Sequence, residues 1–338
     1  MINNWVYSGI TADTIVISSS LSLSRNFSDY VFVDKMSISE ARSLVDTVYY
    51  TFYSKHIEDQ FTLIKLWECS ESKLKVLLDE EIINEKLLKR KEKAAVIVNE
   101  DSNLAIIINE EDHIRISCKS KQMNLEKSYK YINRIDNLIE ENMTYSFSET
   151  LGYLTSSVSN VGTGLKVEVL MHLPIIVLQD TMGDLKGQLN KLKINIDGAY
   201  KKGSDVLGHM YTISNKATLG VSEIEIIKYI NDIVINIADE ENNLRQTFME
   251  NFEYELEDRV MRSYGVLKNA KILRENEILN LLSYVRMGAE VNLLNLDIEA
   301  LDRLITFTKD SVIQYKYQNM LSESELKLIR ANIVKKIL

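Results

Sequence analysis

Apolar and polar positions along this chain follow two different periods, and the change between them falls near residue 245. Ala94–Val98 and Leu104–Ile108 are nearly unbroken apolar runs separated by Asn-Glu-Asp-Ser-Asn, the pattern of two strands joined by a polar turn. Ile114, Ile116 and Cys118 alternate with polar neighbours as a third strand. Leu192, Ile194 and Ile196 alternate in the same way, and Met210 to Ser214 adds a further short strand. Strands joined by tight turns predict an antiparallel sheet rather than βαβ units. Helices intervene over Leu125–Glu141, with Asn124 as the N-cap, and from Ser222, where Ser222 and Glu225 have capping-box spacing. Beyond Arg245 only helical spacing remains, over 248–264, 275–287, 298–317 and 322–337, the last opened by a Ser322/Glu325 capping box. The expected fold class is α+β. A mixed domain over 1–245, a central sheet flanked by helices, precedes an all-α domain over 246–338. The apolar stripes of the second domain suit an internal core or a dimer interface.

Composition narrows the class. Hydrophobic residues make up 45% and charged residues 26%, ordinary for a soluble globular protein. The net charge of -9 argues against nonspecific nucleic-acid binding, which relies on cations at the phosphates. The longest apolar run, Val169–Leu178, is far short of the ~20 residues of a membrane helix, and the start lacks signal-peptide character. A cytoplasmic protein with no membrane span is expected, with Cys69 and Cys118 as free thiols. Of the 40 basic residues only 12 are arginine, and none lies between Arg134 and Arg245.

Three polar segments of the mixed domain are candidates for chemistry. Asn109-Glu-Glu-Asp-His-Ile-Arg115 sets three carboxylates beside a histidine and an arginine, either a functional charge cluster or a solvated turn. Asn160-Val-Gly-Thr-Gly-Leu165 is a small-residue loop, suited to presenting N–H groups to phosphate or simply to turning tightly. It lacks the residues of a P-loop or a dinucleotide fingerprint. Gly198-Ala-Tyr-Lys-Lys-Gly203 is a basic, glycine-bounded loop.

Together these segments resemble the ATP:guanido phosphotransferases, and within them the bacterial protein-arginine kinases. The likeness is carried by NEEDHIR at 109–115, GYLTSSVSNVGTGLKVEVLMHLP at 152–174 and DGAYKKGSDVLGHMYTISNKATLG at 197–220. It extends to ISSSLSLSRN at 17–26, SYGVLKNAKIL at 263–273, LLSYVRMG at 281–288 and IRANIVKKIL at 329–338. The resemblance implies a guanido-kinase catalytic domain with a central antiparallel sheet, and transfer of the ATP γ-phosphate, with Mg²⁺, to protein arginine. No metal ligands are assigned among the side chains. Such chemistry needs arginine forks on the phosphates and carboxylates to hold the guanidinium in line and take its proton.

Carried over residue by residue, the resemblance implies a partly dismantled site. Glu111 falls on the guanidinium-binding carboxylate and base, and Ser18 and Arg115 on retained nucleotide positions. Lys166 stands for an arginine, keeping charge but not fork. Ser20 and Ser22 replace two nucleotide arginines, although Arg25 just beyond still matches the pattern. Asp197 replaces a third arginine, and Glu81 takes the place of a nucleotide-site histidine. On the guanidinium side, Lys202 replaces a glutamate, and Ser157-Val158 a Cys-Pro pair. A phosphoarginine-binding Arg-Asp-x-x-Arg-Ala motif keeps only Arg330-Ala331, with Leu326-Lys327 in its first half. Arg330 is equally an ordinary helix charge.

Two functions follow as expectations. One is an impaired or inactive pseudokinase acting as a dimeric binding protein. By family analogy its partners would be a Clp unfoldase, a zinc-binding activator and a heat-shock repressor. The other is a working protein-arginine kinase that uses lysines and Mg²⁺ in place of the missing forks.

Overall fold

In the computed structural model, which describes residues 14–53, 61–80, 82–101, 103–317 and 321–338, the apolar runs at 94–108 become adjacent strands buried on both faces. The chain opens with β1 (Val16–Arg25), α1 (Ile38–Tyr53), β2 (Phe61–Lys65), α2 (Glu71–Asp79) and α3 (Glu85–Leu88). There follow β3 (Ala95–Asn99), β4 (Leu104–Ile108), β5 (Ile114–Lys121) and α4 (Leu125–Glu140). A small hairpin of β6 (Phe147–Ser148) and β7 (Gly152–Tyr153) leads to β8 (Leu165–His172), α5 (Pro174–Leu178) and α6 (Met182–Lys191). Next come β9 (Ile194–Gly198), β10 (Lys201–Lys202), β11 (Asp205–Val206) and β12 (Met210–Asn215). The remainder is helical: α7 (Glu223–Asn269), α8 (Glu275–Glu290), α9 (Ile298–Phe307), α10 (Asp310–Tyr317) and α11 (Glu323–Ile337). Eight strands form one sheet in the order β2-β3-β4-β5-β1-β8-β12-β9, antiparallel from β2 through β5 as expected.

Two compact units divide the chain. The first holds Ser19–Glu168 and Ser214–Asn231; the second holds Val169–Ile213 and Asp232–Leu338, together with the start of β1. Residue 245 lies inside α7.

Register explains how the first unit presents polar groups. Ile64, Val96, Ile107 and Arg115 are successive cross-strand partners, so they share one face of the sheet. Over β2–β4 that face is sealed by Leu66, Leu74, Leu77 and Leu87. The apolar row ends at β5, where Arg115 takes its place. On β1, Leu21 and Leu23 are buried while Ser20 and Ser22 are only partly covered, and on β8 Lys166 alternates with buried Leu165 and Val167. α4 packs against β5 through Leu125, Ile132, Ile135 and Ile139, the stripe that its helical spacing predicts. A buried ion pair reinforces the unit. Arg25 donates from Nε and Nη2 to Asp136 at 3.2 and 2.7 Å, and from Nη1 to Thr163 O at 2.9 Å. Its guanidinium lies 3.5 Å over the Tyr153 ring.

The second unit has its own core, in which Leu267, Ile278, Leu282, Leu301, Leu304 and Val334 are buried. A polar network is buried beside it. Glu290 binds Arg245 at 2.6 Å and also Arg286, which holds Asp302 at 2.7 Å. Glu241 accepts the free N–H groups of Ile175 and Ile176 at 3.1 and 3.0 Å, capping α5 from a distance. Ser283 Oγ lies 2.8 Å from His172 Nε2 and 2.7 Å from His209 Nδ1.

Several elements differ from the sequence expectation. Leu192 is not in a strand: α6 runs to Lys191, and β9 begins only after Lys193 at φ 57°. Asn124 precedes α4 without capping it through its side chain, and its N–H instead donates to Ser19 Oγ at 3.4 Å. The helices expected from 222 and from 248 are one helix, α7, bent at Phe252. The helix expected over 298–317 is two, broken after Phe307, where Thr308 Oγ1 turns back onto Leu304 O. The Ser322/Glu325 capping box is present.

Candidate functional site

The turn between β4 and β5 is built by the motif's own side chains. Asn109 takes φ 62° and donates from Nδ2 to Ala41 O and Lys93 O at 2.8 and 2.9 Å. Glu110, almost wholly buried, accepts from Asn84 and from Arg115 Nη2 at 3.2 Å. Asp112 accepts from Asn26 Nδ2 and from the Ser156 N–H, each at 2.7 Å. His113 accepts from the Phe27 N–H at Nδ1 (2.9 Å) and donates from Nε2 to Val31 O (2.8 Å), with its ring stacked on Phe27. Burial lowers its pKa and keeps it neutral. Every side chain of the turn but one is thus occupied in holding it. Glu111 is the exception, half-exposed and 3.1 Å from Lys86 Nζ.

The first unit also carries Arg115 on β5 and Lys166 on β8, two cations that the resemblance aligns with nucleotide positions. Arg115 leaves its buried Nε without a hydrogen-bond partner. Lys166 Nζ donates to Ser214 Oγ at 3.1 Å and Asn215 O at 3.0 Å. Ser20 and Ser22 lie on β1 and offer only hydroxyls; Ser18 lies on the same strand, within the second unit. Arg25, which matched the family pattern, is spent on Asp136 and backbone carbonyls and is structural.

The glycine loop is a clasp. Gly162 and Tyr153 exchange backbone hydrogen bonds at 2.8 and 3.2 Å, and the Thr163 N–H donates to Thr218 O at 3.0 Å. A Cβ on Gly162, at φ 113°, would stand 2.2 Å from Thr218 O. These N–H groups serve the fold and are not presented to phosphate. Ser157 follows the Ser156–Asp112 bond, so it sits beside the acidic turn, with its Oγ 2.8 Å from Ser159 Oγ.

The other candidates belong to the second unit. Asp197 is exposed near the end of β9, 3.8 Å from Lys201 Nζ. Lys202 lies in β10, paired with Asp205 of β11 in a hairpin turned at Gly203. Arg330 is buried, donating from Nε to Thr308 O at 2.6 Å, from Nη1 to Leu273 O at 2.9 Å, and from Nη2 to Asp310. Glu81 lies outside the described residues.

Lys166, Ser20, Ser22 and Asp197 bring no guanidinium fork to the positions that the resemblance aligns with phosphate-binding arginines. Within the first unit Arg115 and Lys166 carry positive charge and Ser20 and Ser22 carry none; Asp197, in the second unit, is negative. Among the described residues no group of three His, Cys, Asp or Glu side chains is placed to hold a metal ion. No helix of the described residues is long and apolar enough to cross a membrane. Lys86 was missed by sequence reading, because nothing local marks a lysine as the partner of a carboxylate 25 residues away.

Comparison with known proteins agrees with this architecture. Residues 43–244 match the model of the ATP:guanido phosphotransferase C-terminal catalytic domain, and residues 253–338 that of the protein-arginine kinase McsB C-terminal domain. The protein-arginine kinase of Clostridium botulinum is 36% identical over 335 residues, covering 99% of this chain and 98% of its own. That of Clostridium acetobutylicum is 37% identical over 334 residues, covering 98% of each. Among solved structures, lombricine kinase is similar in fold at a TM-score of 0.62, with 22% identity and coverage of 72% of this chain and 70% of its own. The duplicated taurocyamine kinase of Schistosoma mansoni gives 0.63, with 19% identity and coverage of 95% and 50%. With these matches over nearly its whole length, the chain belongs to the ATP:guanido phosphotransferase family.

Proposed function

We propose that this chain is a protein-arginine-kinase-type protein whose phosphoryl transfer is weak or absent, and that it acts by binding arginine-bearing segments of other proteins. The observation that carries this reading is an asymmetry within the candidate site. The acidic turn that presents Glu111 is fully wired, whereas the family resemblance aligns Ser20, Ser22 and Asp197 with phosphate-binding arginines. Losing one preorganised donor to transition-state charge costs ~3 kcal/mol, about 10²–10³ in rate. A carboxylate ~4 Å from a phosphate oxygen adds repulsion of a few kcal/mol at surface-like dielectric. Such losses are not additive, yet rate reductions of several orders of magnitude follow. Glu111 retains its part: an open carboxylate receives a guanidinium through paired N–H···O bonds and holds its nitrogen in a fixed direction.

The remaining calls complete the proposal. The division near residue 245 would separate a catalytic-type part from a helical part that forms a homodimer and, with Arg330, meets phosphoarginine. A cytoplasmic role in Clp-linked quality control, with the unfoldase, zinc-binding activator and repressor as partners, rests on the family relationship. A second reading, residual kinase activity with ATP and Mg²⁺, is favoured by the unpartnered Nε of Arg115 and the retained charge of Lys166.

The test is incubation with Mg-ATP and an arginine-rich protein, followed by a search for acid-labile phosphoarginine. Robust turnover, abolished by Glu111→Gln, would replace the first reading with the second. No phosphoarginine, with Glu111-dependent capture of the unmodified protein, is the expected result.

A further inference from the structure

The first unit carries an apolar groove that the proposed function does not use. It has a volume of about 420 Å³ and lies between the β6–β7 hairpin and the turn that leads into α7. Phe147, Leu151 and Leu219 line it at 58%, 45% and 53% exposure, three large apolar side chains left in water side by side. Its floor is backbone. Gly152, at φ 76°, leaves no room for a Cβ, which would lie 2.6 Å from Gly162 O, and Gly162 is pressed as closely against Thr218. Hairpin, glycine loop and turn are therefore locked together, so the groove is preformed.

Two observations identify its occupant. The first is charge. The lining contains Glu223 and Glu225 but no lysine or arginine, and Glu149 stands exposed in the adjoining hairpin turn. Glu225 is kept ionised by the Ser222 N–H and hydroxyl, each 2.8 Å from its carboxylate. An apolar cleft with an acidic rim repels acidic segments and attracts cationic ones. The second is continuity with Glu111. Tyr153 lines the groove; one residue on, Leu154 O accepts from Asn26 Nδ2, the same amide that binds Asp112. Ser156, two residues further, donates directly to Asp112, the neighbour of Glu111. At ~3.3–3.6 Å per extended residue, the stretch from Tyr153 of the groove to Ser156 beside the acidic turn covers at most ~11 Å, the reach of a few residues of a bound strand.

We infer that this groove docks an apolar side chain of the same protein segment whose arginine reaches Glu111, so that the chain reads an arginine together with an aliphatic or aromatic residue a few positions away. The inference rests on the reading of Glu111 as the guanidinium-holding carboxylate, and the experiment separates the two.

Fluorescein-labelled Gly/Ser peptides carrying one arginine and one leucine, two to six residues apart in either order, are titrated with the full chain and followed by anisotropy. Replacing leucine by serine in the best peptide is expected to weaken binding about tenfold, the scale of one buried aliphatic side chain. Phe147→Ser/Leu219→Ser in the protein is expected to do the same, and the two changes together no more than either alone. Leu151→Ser provides an independent milder variant, and circular dichroism with thermal melting confirms folding of each. Unchanged affinity in the double variant and in Leu151→Ser would overturn the groove. If those variants weaken binding while Glu111→Gln and arginine-to-citrulline replacement do not, the groove stands and the Glu111 reading falls. If light scattering shows that they instead dissolve a dimer of the chain without altering peptide affinity, the occupant is a second copy and the inference is overturned.

Discussion

Lys86 Nζ lies 3.1 Å from Glu111 Oε2, so the one carboxylate of the acidic turn not committed to holding it already carries a cation. The contact is anchored from below: Asn84 caps α3 by accepting the Leu87 N–H at 2.9 Å and reaches Glu110 with its amide. On the proposed reading of Glu111, an arginine side chain displaces this ammonium.

Both partners are substantially exposed, at 70% and 38%, so the pair is weakly held and readily exchanged. Lys86→Ala is expected to strengthen binding of an arginine peptide by about two- to fivefold at low salt, with the gain fading towards 1 M salt. Calorimetric titration measures it. Equal affinities for both proteins at low salt would mean that lysine and substrate do not compete for Glu111.

Arg330 is a second case in which position and role separate. Its guanidinium is buried and donates to Thr308 O, Leu273 O and Asp310, tying α11 to the ends of its neighbours. Arg330→Ala leaves buried carbonyls unpaired and is expected to cost ~3 kcal/mol in urea unfolding. Arg330→Lys should recover little of this, because one ammonium cannot reproduce the fork. A loss of phosphoarginine binding with unchanged stability would instead assign Arg330 to ligand.

Acid should destabilise the protein well above the usual carboxylate range. Burial pushes His172 down to about 3 and His209 down to about 4, and lowers His113 as well. Around His172 stand Arg245, Arg286, Glu290 and Ser283, with His209 sharing the serine hydroxyl. Unfolded histidine takes a proton near pH ~6.5. Between that value and the folded ones the unfolded chain binds more protons, so stability is complete above pH ~6.5 and falls as pH drops towards 4. Each histidine contributes up to ~1.4 kcal/mol per pH unit in its window. Glu290 is opposed by burial but held down to about 2 by Arg286 and Arg245, so its own contribution is lost only below the ordinary carboxylate value. Urea titrations at pH 7.5, 6 and 5 measure the slope, and His172→Gln should flatten it. A stability independent of pH over this range would refute the assignment.

Much of the sheet was legible because burial on both faces of β3 and β4 leaves an unbroken apolar run, and the half-covered β5 leaves a period of two. The helix boundaries were less so. α7 continues through polar Glu241 and Arg245 because both are buried partners of other elements, a fact visible only in three dimensions. The acidic turn stood out as a charge cluster, but its division of labour did not: three of its side chains look alike in sequence and only contact shows Glu111 to be the open one. Phe147, Leu151 and Leu219 were passed over because they lie in turn-rich stretches where no period applies. Lys86 carries no local signal at all.

If Ser20, Ser22 and Asp197 stand in for phosphate-binding arginines, as proposed, arginine at these three positions restores nucleotide binding. Ser20 and Ser22 alternate with buried Leu21 and Leu23, so a longer side chain at 20 or 22 leaves the core untouched. Asp197 is 71% exposed and its contact with Lys201 is long and solvated, so its replacement removes little stability. Ser20→Arg/Ser22→Arg/Asp197→Arg therefore changes the charge of these positions by four units without strain. Nucleotide at 100 times Kd stabilises a protein by ~2.7 kcal/mol, a rise of several degrees in melting temperature. The parent chain is expected to show no shift in millimolar Mg-ATP, and the triple variant a clear one. Asp197→Asn, which removes repulsion without adding a fork, should fall between them. A triple variant as indifferent to nucleotide as its parent would place the defect in the backbone of the site rather than in its side chains.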